Sequence, residues 1–75
     1  MYYYINMNKI KMLTQREKEV LSLLLKGYKN QVIAEKLYIT RHTVKAHLAN
    51  IYQKLGVRNR TQVAIYVLSK QLELQ

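Results

Sequence analysis

Apolar residues along this chain recur every three to four positions, which is the period of α-helices that bury one face. The first such segment covers residues 15–26 and carries Val20, Leu21 and Leu24. Leu13 stands just before it, where a hydrophobic residue commonly packs back onto the first turn. The pattern therefore predicts that the fold starts with an amphipathic helix.

Residues that start and stop helices support these boundaries. Thr14 and Glu17 have the separation of a capping box, in which each side chain accepts a hydrogen bond from the other residue's backbone amide. Gly27 and Gly56 follow apolar segments, and glycine readily takes the left-handed conformation that ends a helix. We therefore expect one helix between Thr14 and Gly27, and another that ends before Gly56.

The second apolar segment is short and is closely followed by the third. We expect Asn30 to cap a second helix that ends near Tyr38, and Thr40 to cap the next helix. Two helices joined by so short a connection cross steeply instead of lying antiparallel. This arrangement is a helix-turn-helix.

The third helix, expected over residues 41–55, has a narrow apolar stripe formed by Val44, Leu48, Ile51 and Leu55. At about 100° per residue these positions share one face, which must lie on the core. The opposite face is polar, is cationic at one flank and carries small side chains at its centre. Its residues are His42, Lys45, Ala46, Ala49, Asn50 and Gln53.

Asn59 can cap a fourth helix over residues 60–71, which is apolar over more of its circumference than packing on three small helices requires. The surplus predicts a contact between two copies of the chain through Val63, Tyr66 and Val67. The alternative is a helix wrapped tightly on its own core. The expected fold class is all-α: a four-helix bundle that contains a helix-turn-helix and dimerises through its C-terminal helix.

Composition and charge narrow the function. The 75 residues allow one small domain, which we place at residues 13–75 behind a flexible N-terminal arm at residues 1–12. Lys and Arg number 13 against 4 acidic residues, and the net charge of +9 is typical of proteins that bind a polyanion. Residues 29–60 hold Glu35 as their single acid, so most of the positive charge lies on the central helices.

Other function classes fit the composition poorly. The chain has no Cys and no Asp, and His42 and His47 do not share a helix face, so we expect no enzyme, no metal site and no cofactor. No apolar run approaches the ~18 residues needed to cross a bilayer, and the N-terminus lacks the order of a signal peptide. We therefore expect a cytoplasmic protein with no membrane partner.

Double-stranded DNA is the polyanion that these helices fit best. A helix about 10–12 Å across fits the major groove of B-DNA, and the backbone amides at a helix start can meet a phosphate. RNA is less favoured, because no strand platform of aromatic residues is predicted on which bases could stack. The shallow face of the third helix is thus the expected base-reading surface.

A family resemblance rests on many residues in register. They are LTQREKEVL at residues 13–21, then Gly27, Asn30, Ile33, Ala34, Leu37, Ile39, Thr40, Thr43, Val44, Lys45, His47, Ile51, KLGV at residues 54–57, and Arg60. Over residues 13–70 the chain resembles the LuxR-type (GerE-like) helix-turn-helix domain of bacterial transcription regulators. The resemblance implies four helices, DNA binding and dimerisation through the last helix. Since so few residues precede Leu13, the chain is most similar to the small stand-alone, GerE-like members.

The resemblance also implies roles for single residues. The positions that read bases correspond to Lys45, Ala46 and Ala49, and those that contact the DNA backbone correspond to Thr40, Thr43, His47 and Lys54. Basic and polar residues near the helix starts and on the flanks of the third helix complete the candidate contacts with the DNA backbone. These residues are Lys29, Asn30, Arg41, His42, Asn50 and Arg60. For His47, which lies beside the apolar stripe, a buried structural role is the alternative; Thr43 alternatively serves only the helix start.

The chain departs from the family pattern at the second helix and on the base-reading face. Lys29 and Val32 replace the serine and glutamate that commonly form a capping box. Ala49 replaces a longer polar or basic side chain, which leaves more of the sequence specificity to Lys45 and to DNA shape.

These observations predict a sequence-specific transcription regulator that acts as a homodimer on double-stranded DNA, with RNA polymerase as a further candidate partner. Within the same class, the promoter-binding region of sigma factors has a comparable helix-turn-helix. From another class, a small helical protein-interaction module would use the apolar fourth helix on a protein partner. The positive charge on the central helices favours DNA over the interaction module.

Overall fold

Four helices in chain order make up most of the described structure. A computed structural model of the protein describes residues 9–74, with side chains described up to residue 70. The helices are α1 (Gln15–Leu25), α2 (Asn30–Leu37), α3 (Arg41–Leu55) and α4 (Arg60–Leu74). Residues 9–11 are also helical, and the described range contains no strand. The all-α prediction is confirmed.

The expected N-terminal arm falls only partly within this range. Residues 1–8 lie outside the described residues. Residues 9–11 are helical, and the side chain of Ile10 packs against the core. Packing on the core thus begins before Leu13, where the sequence pattern places the start of the domain.

Helix α1 begins as the sequence predicts. The Thr14 hydroxyl accepts a hydrogen bond from the Glu17 amide at 3.1 Å, and the Glu17 carboxylate accepts one from the Thr14 amide at 2.9 Å. The capping box is therefore confirmed, and Leu13 is buried beside it. At the other end of the helix, Gly27 has a φ of 90°, a conformation that glycine adopts without strain.

The start of α2 differs from the prediction. Lys29, not Asn30, occupies the cap position, and its side chain makes no capping hydrogen bond. Asn30 is already the first helical residue, and its side-chain oxygen accepts a hydrogen bond from Arg60 of α4. A partner distant in sequence therefore uses the group that the local pattern assigned to the cap.

The turn between α2 and α3 contains an unusual backbone conformation. Tyr38 has a φ of 57° and a ψ of 42°, left-handed values that residues other than glycine rarely adopt. The amides of Tyr38 and Ile39 donate to carbonyls in the last turn of α2, and Thr40 then caps α3. This short connection closes the helix-turn-helix.

The core lies where α1 and α2 pack on α3. The stripe predicted on α3 is confirmed, because Val44 and Ile51 are fully buried and Leu48 and Leu55 nearly so. The other buried apolar side chains are Leu13, Val20, Leu21, Leu24, Ile33, Ala34 and Val63. By anchoring one face of α3, this core holds the opposite face toward solvent.

Helix α4 begins at its predicted cap and runs further than expected. The Asn59 side chain accepts a hydrogen bond from the Gln62 amide at 2.9 Å, and the helix continues to Leu74 instead of residue 71. Val63, expected to contact a second copy, is instead fully buried, because the first turn of α4 lies over the core. This burial removes Val63 from any surface that a second copy could reach.

The apolar surplus of α4 is present at other positions. Tyr66 and Val67 are half-buried against the core, whereas Ile65 and Leu68 are 61% and 57% exposed. Among the described side chains of this helix, the large apolar ones that point outward are Ile65 and Leu68, which lie three positions apart and so share one face.

Candidate nucleic-acid interface

The outward face of α3 is shallow and exposed. Lys45, Ala46 and Ala49, the residues expected to read bases, are all exposed, as are His42 and Asn50 on the same face. The two alanine side chains leave the middle of the face low. A flat surface such as the edge of a base pair could therefore approach the helix closely, with the Lys45 ammonium beside it.

The start of α3 is fixed by two threonines. The Thr40 hydroxyl accepts a hydrogen bond from the Thr43 amide at 3.0 Å and lies 2.9 Å from the Thr43 hydroxyl. Thr40 is exposed and Thr43 is half-buried. The cap therefore orients the first turn of α3, whose remaining amides carry the partial positive charge of a helix N-terminus.

A basic concavity lies beside this end of α3. It is open, has a volume of about 620 Å³, and is lined by Gly27, Lys29, Asn30, Gln31, Arg41, Lys45 and Arg60. Five of the residues predicted to contact DNA thus come together, although they belong to three helices and a turn. The lining contains four basic residues and no acidic residue, so the concavity is suited to an anion.

Arg60 has a structural partnership that sequence reasoning missed. Its guanidinium donates to the Asn30 side-chain oxygen at 2.7 Å and to the Tyr28 backbone carbonyl at 2.5 Å. Its charge also lies near Tyr52 of α3: burial raises the pKa of the Tyr52 hydroxyl, and Arg60 partly offsets that rise. The sequence predicts Arg60 as a DNA contact from its charge and its place in the family pattern, whereas in the structure its donors hold α4 against the start of α2.

Lys54 is separated from the other candidates. Its ammonium lies 2.7 Å from the Glu17 carboxylate of α1, and it does not line the concavity. Burial raises the pKa of the Glu17 carboxyl, but the hydrogen bonds from Lys54 and Thr14 outweigh burial and hold that pKa below its ordinary value. The structure thus gives Lys54 an intramolecular partner, which the sequence offered no means of identifying.

His47 is half-buried, beside the apolar stripe of α3, and His42 is exposed. Both interpretations of His47, as a structural residue and as a contact with the DNA backbone, therefore stay predictions. Among residues 9–74, no three His, Cys, Asp or Glu side chains are grouped so that they could hold a metal ion. In the same range no helix is long and apolar enough to cross a membrane.

Comparison with known proteins agrees with this arrangement. The family described as "Bacterial regulatory proteins, luxR family" (GerE) matches residues 11–67. The chain is 59% identical over 59 residues to the transcriptional regulatory protein LnrK of Bacillus subtilis (strain 168), covering 79% of this chain and 27% of LnrK. It is 52% identical over 61 residues to the response regulator protein VraR of Staphylococcus aureus (strain NCTC 8325 / PS 47), covering 81% and 29%.

A solved structure is also similar. The response regulator StyR superposes with a TM-score of 0.78 and 40% sequence identity, over 83% of this chain and 31% of StyR. The chain therefore spans less than a third of the length of these relatives. The match over residues 11–67 covers most of the sequence, and the helix-turn-helix packs as the motif requires. This chain belongs to the luxR family of bacterial regulatory proteins.

Proposed function

We propose that the chain binds DNA sequence-specifically, with α3 in the major groove, and acts as a transcription regulator. The observation that carries this proposal is the position of the basic concavity directly beside the exposed face of α3, with Lys45 belonging to both. A groove-reading helix needs its neighbouring phosphates held at the same time. The adjacency of the two surfaces meets that need.

The division of labour follows from the chemistry of each surface. Lys45 can donate to acceptors on the edge of a guanine, while Ala46 and Ala49 can touch thymine methyl groups. Lys29, Arg41 and the other bases of the concavity would neutralise phosphates whatever the sequence. The exposed alanines offer no hydrogen bonds to bases, so DNA shape is expected to supply part of the specificity.

A homodimer is the assembly that we propose for this function. Ile65 and Leu68 form an outward apolar face on α4, and Tyr66 and Val67 border it. A second copy packed on the same face by two-fold symmetry would cover these residues. Its recognition helix would then enter a major groove about 34 Å away, which predicts two half-sites one helical turn apart.

The names of the relatives support a role in transcription. LnrK is called a transcriptional regulatory protein, and VraR and StyR are called response regulators. A DNA-bound regulator acts in the bacterial cytoplasm, and RNA polymerase is the partner on which it would act directly or whose binding site it would block. The interaction-module alternative rests on the exposed apolar face of α4, which the proposed dimer already occupies.

Salt dependence and a matched pair of lysine variants test the proposal. If about six phosphates are neutralised per domain, the log–log dependence of affinity on salt should have a slope near −5. Lys45→Ala should weaken binding to a selected operator more than binding to random duplex. Lys18→Ala removes an exposed lysine of α1, outside the concavity, and should leave both affinities within about twofold.

The outcome that contradicts base reading is an equal loss for Lys45→Ala on operator and random duplex, which would make Lys45 a phosphate contact only. A chain that shows no salt-dependent affinity for any duplex would contradict DNA binding altogether and favour the interaction module.

A further inference from the structure

Arg60 forms a polar link between α4 and the rest of the fold. It is the first residue of α4, and its guanidinium reaches two groups at the start of α2: the Asn30 side-chain oxygen and the Tyr28 carbonyl. A guanidinium presents its N–H donors in a rigid planar fork, so two simultaneous hydrogen bonds fix its direction as well as its distance. The start of α4 is thereby held at a defined place on the body formed by α1, α2 and α3.

The start of α2 depends on this link. Lys29 occupies the cap position and makes no side-chain capping hydrogen bond. Asn30, the next residue, is engaged by Arg60 instead of by its own helix. The first turn of α2, which lines the basic concavity, is therefore held by a hydrogen bond from α4 and not by a side-chain cap of its own.

Further attachments of α4 are apolar contacts and a local cap. Val63 is fully buried, Tyr66 and Val67 are half-buried against the core, and the cap formed by Asn59 and Gln62 is local to the helix start. Contacts between α4 and the other helices are sparser than those that hold α1, α2 and α3 together. Apolar packing is non-directional, whereas the two hydrogen bonds of Arg60 fix a direction at the start of α4.

We propose that Arg60 is a positioning residue that fixes the angle between α4 and the DNA-reading body, and thereby sets which spacing of half-sites the dimer accepts. This inference rests on the proposed function, in which α4 joins two copies. If α4 is the dimer contact, its angle to the body determines how far apart, and in what relative rotation, the two α3 helices stand. Loosening that angle would let one dimer fit several spacings.

The experiment measures affinities of the full chain for a panel of duplexes. The half-site is first obtained by selecting bound sequences from a random library with the wild-type protein. Duplexes then carry two half-sites at the selected spacing, at one base pair less, at one and two more, and as a lone half-site. The readout is the ratio of affinities between the selected spacing and the others.

Three variants separate positioning from charge. Arg60→Lys keeps the positive charge and loses the fork, and Arg60→Gln loses both the charge and the fork. Arg58→Ala removes an exposed arginine two residues away and controls for net charge. We expect Arg60→Lys and Arg60→Gln to reduce the spacing preference roughly 3- to 30-fold, and Arg58→Ala to preserve it.

Partial unfolding does not imitate this result. A smaller folded fraction lowers the apparent affinity for every duplex by the same factor, so the ratio between spacings is unchanged. If Arg60→Gln weakens all duplexes equally and Arg60→Lys keeps the wild-type ratio, Arg60 acts only as a phosphate contact and the inference is overturned. If the wild-type protein binds a lone half-site as tightly as a pair, the proposed dimer itself is refuted.

Discussion

The ion pair between Lys54 and Glu17 yields a prediction that separates two roles for one lysine. The resemblance to LuxR-type domains implies that Lys54 contacts the DNA backbone, but in the structure its ammonium lies 2.7 Å from the Glu17 carboxylate. Replacement by methionine keeps much of the aliphatic stem and removes the charge. We expect Lys54→Met to destabilise the fold and to leave the electrostatics of DNA binding almost unchanged.

The expected magnitude follows from how deeply the two groups are buried. The side chain of Glu17 is 4% exposed and that of Lys54 is 29% exposed, so the pair lies between a surface and a buried one. Breaking a buried pair by removing one partner costs about 3–5 kcal/mol, whereas exposed pairs contribute about 0–1 kcal/mol. Because Glu17 keeps its hydrogen bond from Thr14, we expect a loss of roughly 2 kcal/mol, or about 8–16 °C in Tm for a domain of this size.

Thermal and urea unfolding, followed by circular dichroism, measure this loss. The pKa of the Glu17 carboxyl is lowered in the folded state, so its contribution is present above its ordinary value of 4.5 and is lost as pH falls through the folded pKa. The difference between wild type and Lys54→Met should therefore narrow below pH 4.5. Glu17→Gln combined with Lys54→Met leaves no buried unpaired charge and should recover part of the stability.

Unchanged stability together with a weaker salt dependence of DNA binding would contradict a structural role for Lys54. If Lys54→Met unfolds within about 0.5 kcal/mol of wild type and its salt slope for DNA falls by about 0.9, Lys54 serves a phosphate and not Glu17. Lys18→Ala is the control for loss of an exposed lysine and should change neither quantity.

Further predictions concern the turn, the core and the proposed dimer face. Tyr38→Gly should raise stability by about 0.5–1 kcal/mol, since Tyr38 is 94% exposed in a left-handed conformation; a lower Tm would contradict this. Val44→Asp places an unpaired charge in a fully buried site and should abolish cooperative unfolding at 25 °C, whereas a retained transition would contradict the assigned core. Ile65→Asp should keep the free energy of unfolding within about 0.5 kcal/mol of wild type and abolish self-association in sedimentation equilibrium; an unchanged dimer would place the contact elsewhere.

Much of the fold could be predicted because its signals are local. The capping box of Thr14 and Glu17, the stripe on α3 and the left-handed glycine at residue 56 depend on neighbours within one or two helical turns. Periodicity also showed that α4 carries excess apolar surface. It cannot show which turn of α4 lies on the core, and so it places Val63 on the surface, whereas Val63 is fully buried.

Interactions between distant residues lay beyond the sequence. Asn30 is of a residue type that commonly caps helices, but its side-chain oxygen accepts a hydrogen bond from the guanidinium of Arg60, thirty residues further along the chain. From the sequence, Lys54 is one more basic residue that could contact the DNA backbone. In the structure, the packing of α1 on α3 places it beside Glu17. Both cases have one physical cause. The partner of a charged side chain is the group that lies nearest to it in space, and for residues far apart in sequence that distance is set by how the helices pack.

Selection of bound sequences from a random duplex library, at near-physiological salt, is the decisive test of sequence-specific DNA binding by this chain. We predict a two-fold symmetric motif with half-sites about one helical turn apart, because two copies joined through α4 would place their α3 helices in successive major grooves. Failure of the chain to retain any duplex would contradict it and move the function to a protein partner.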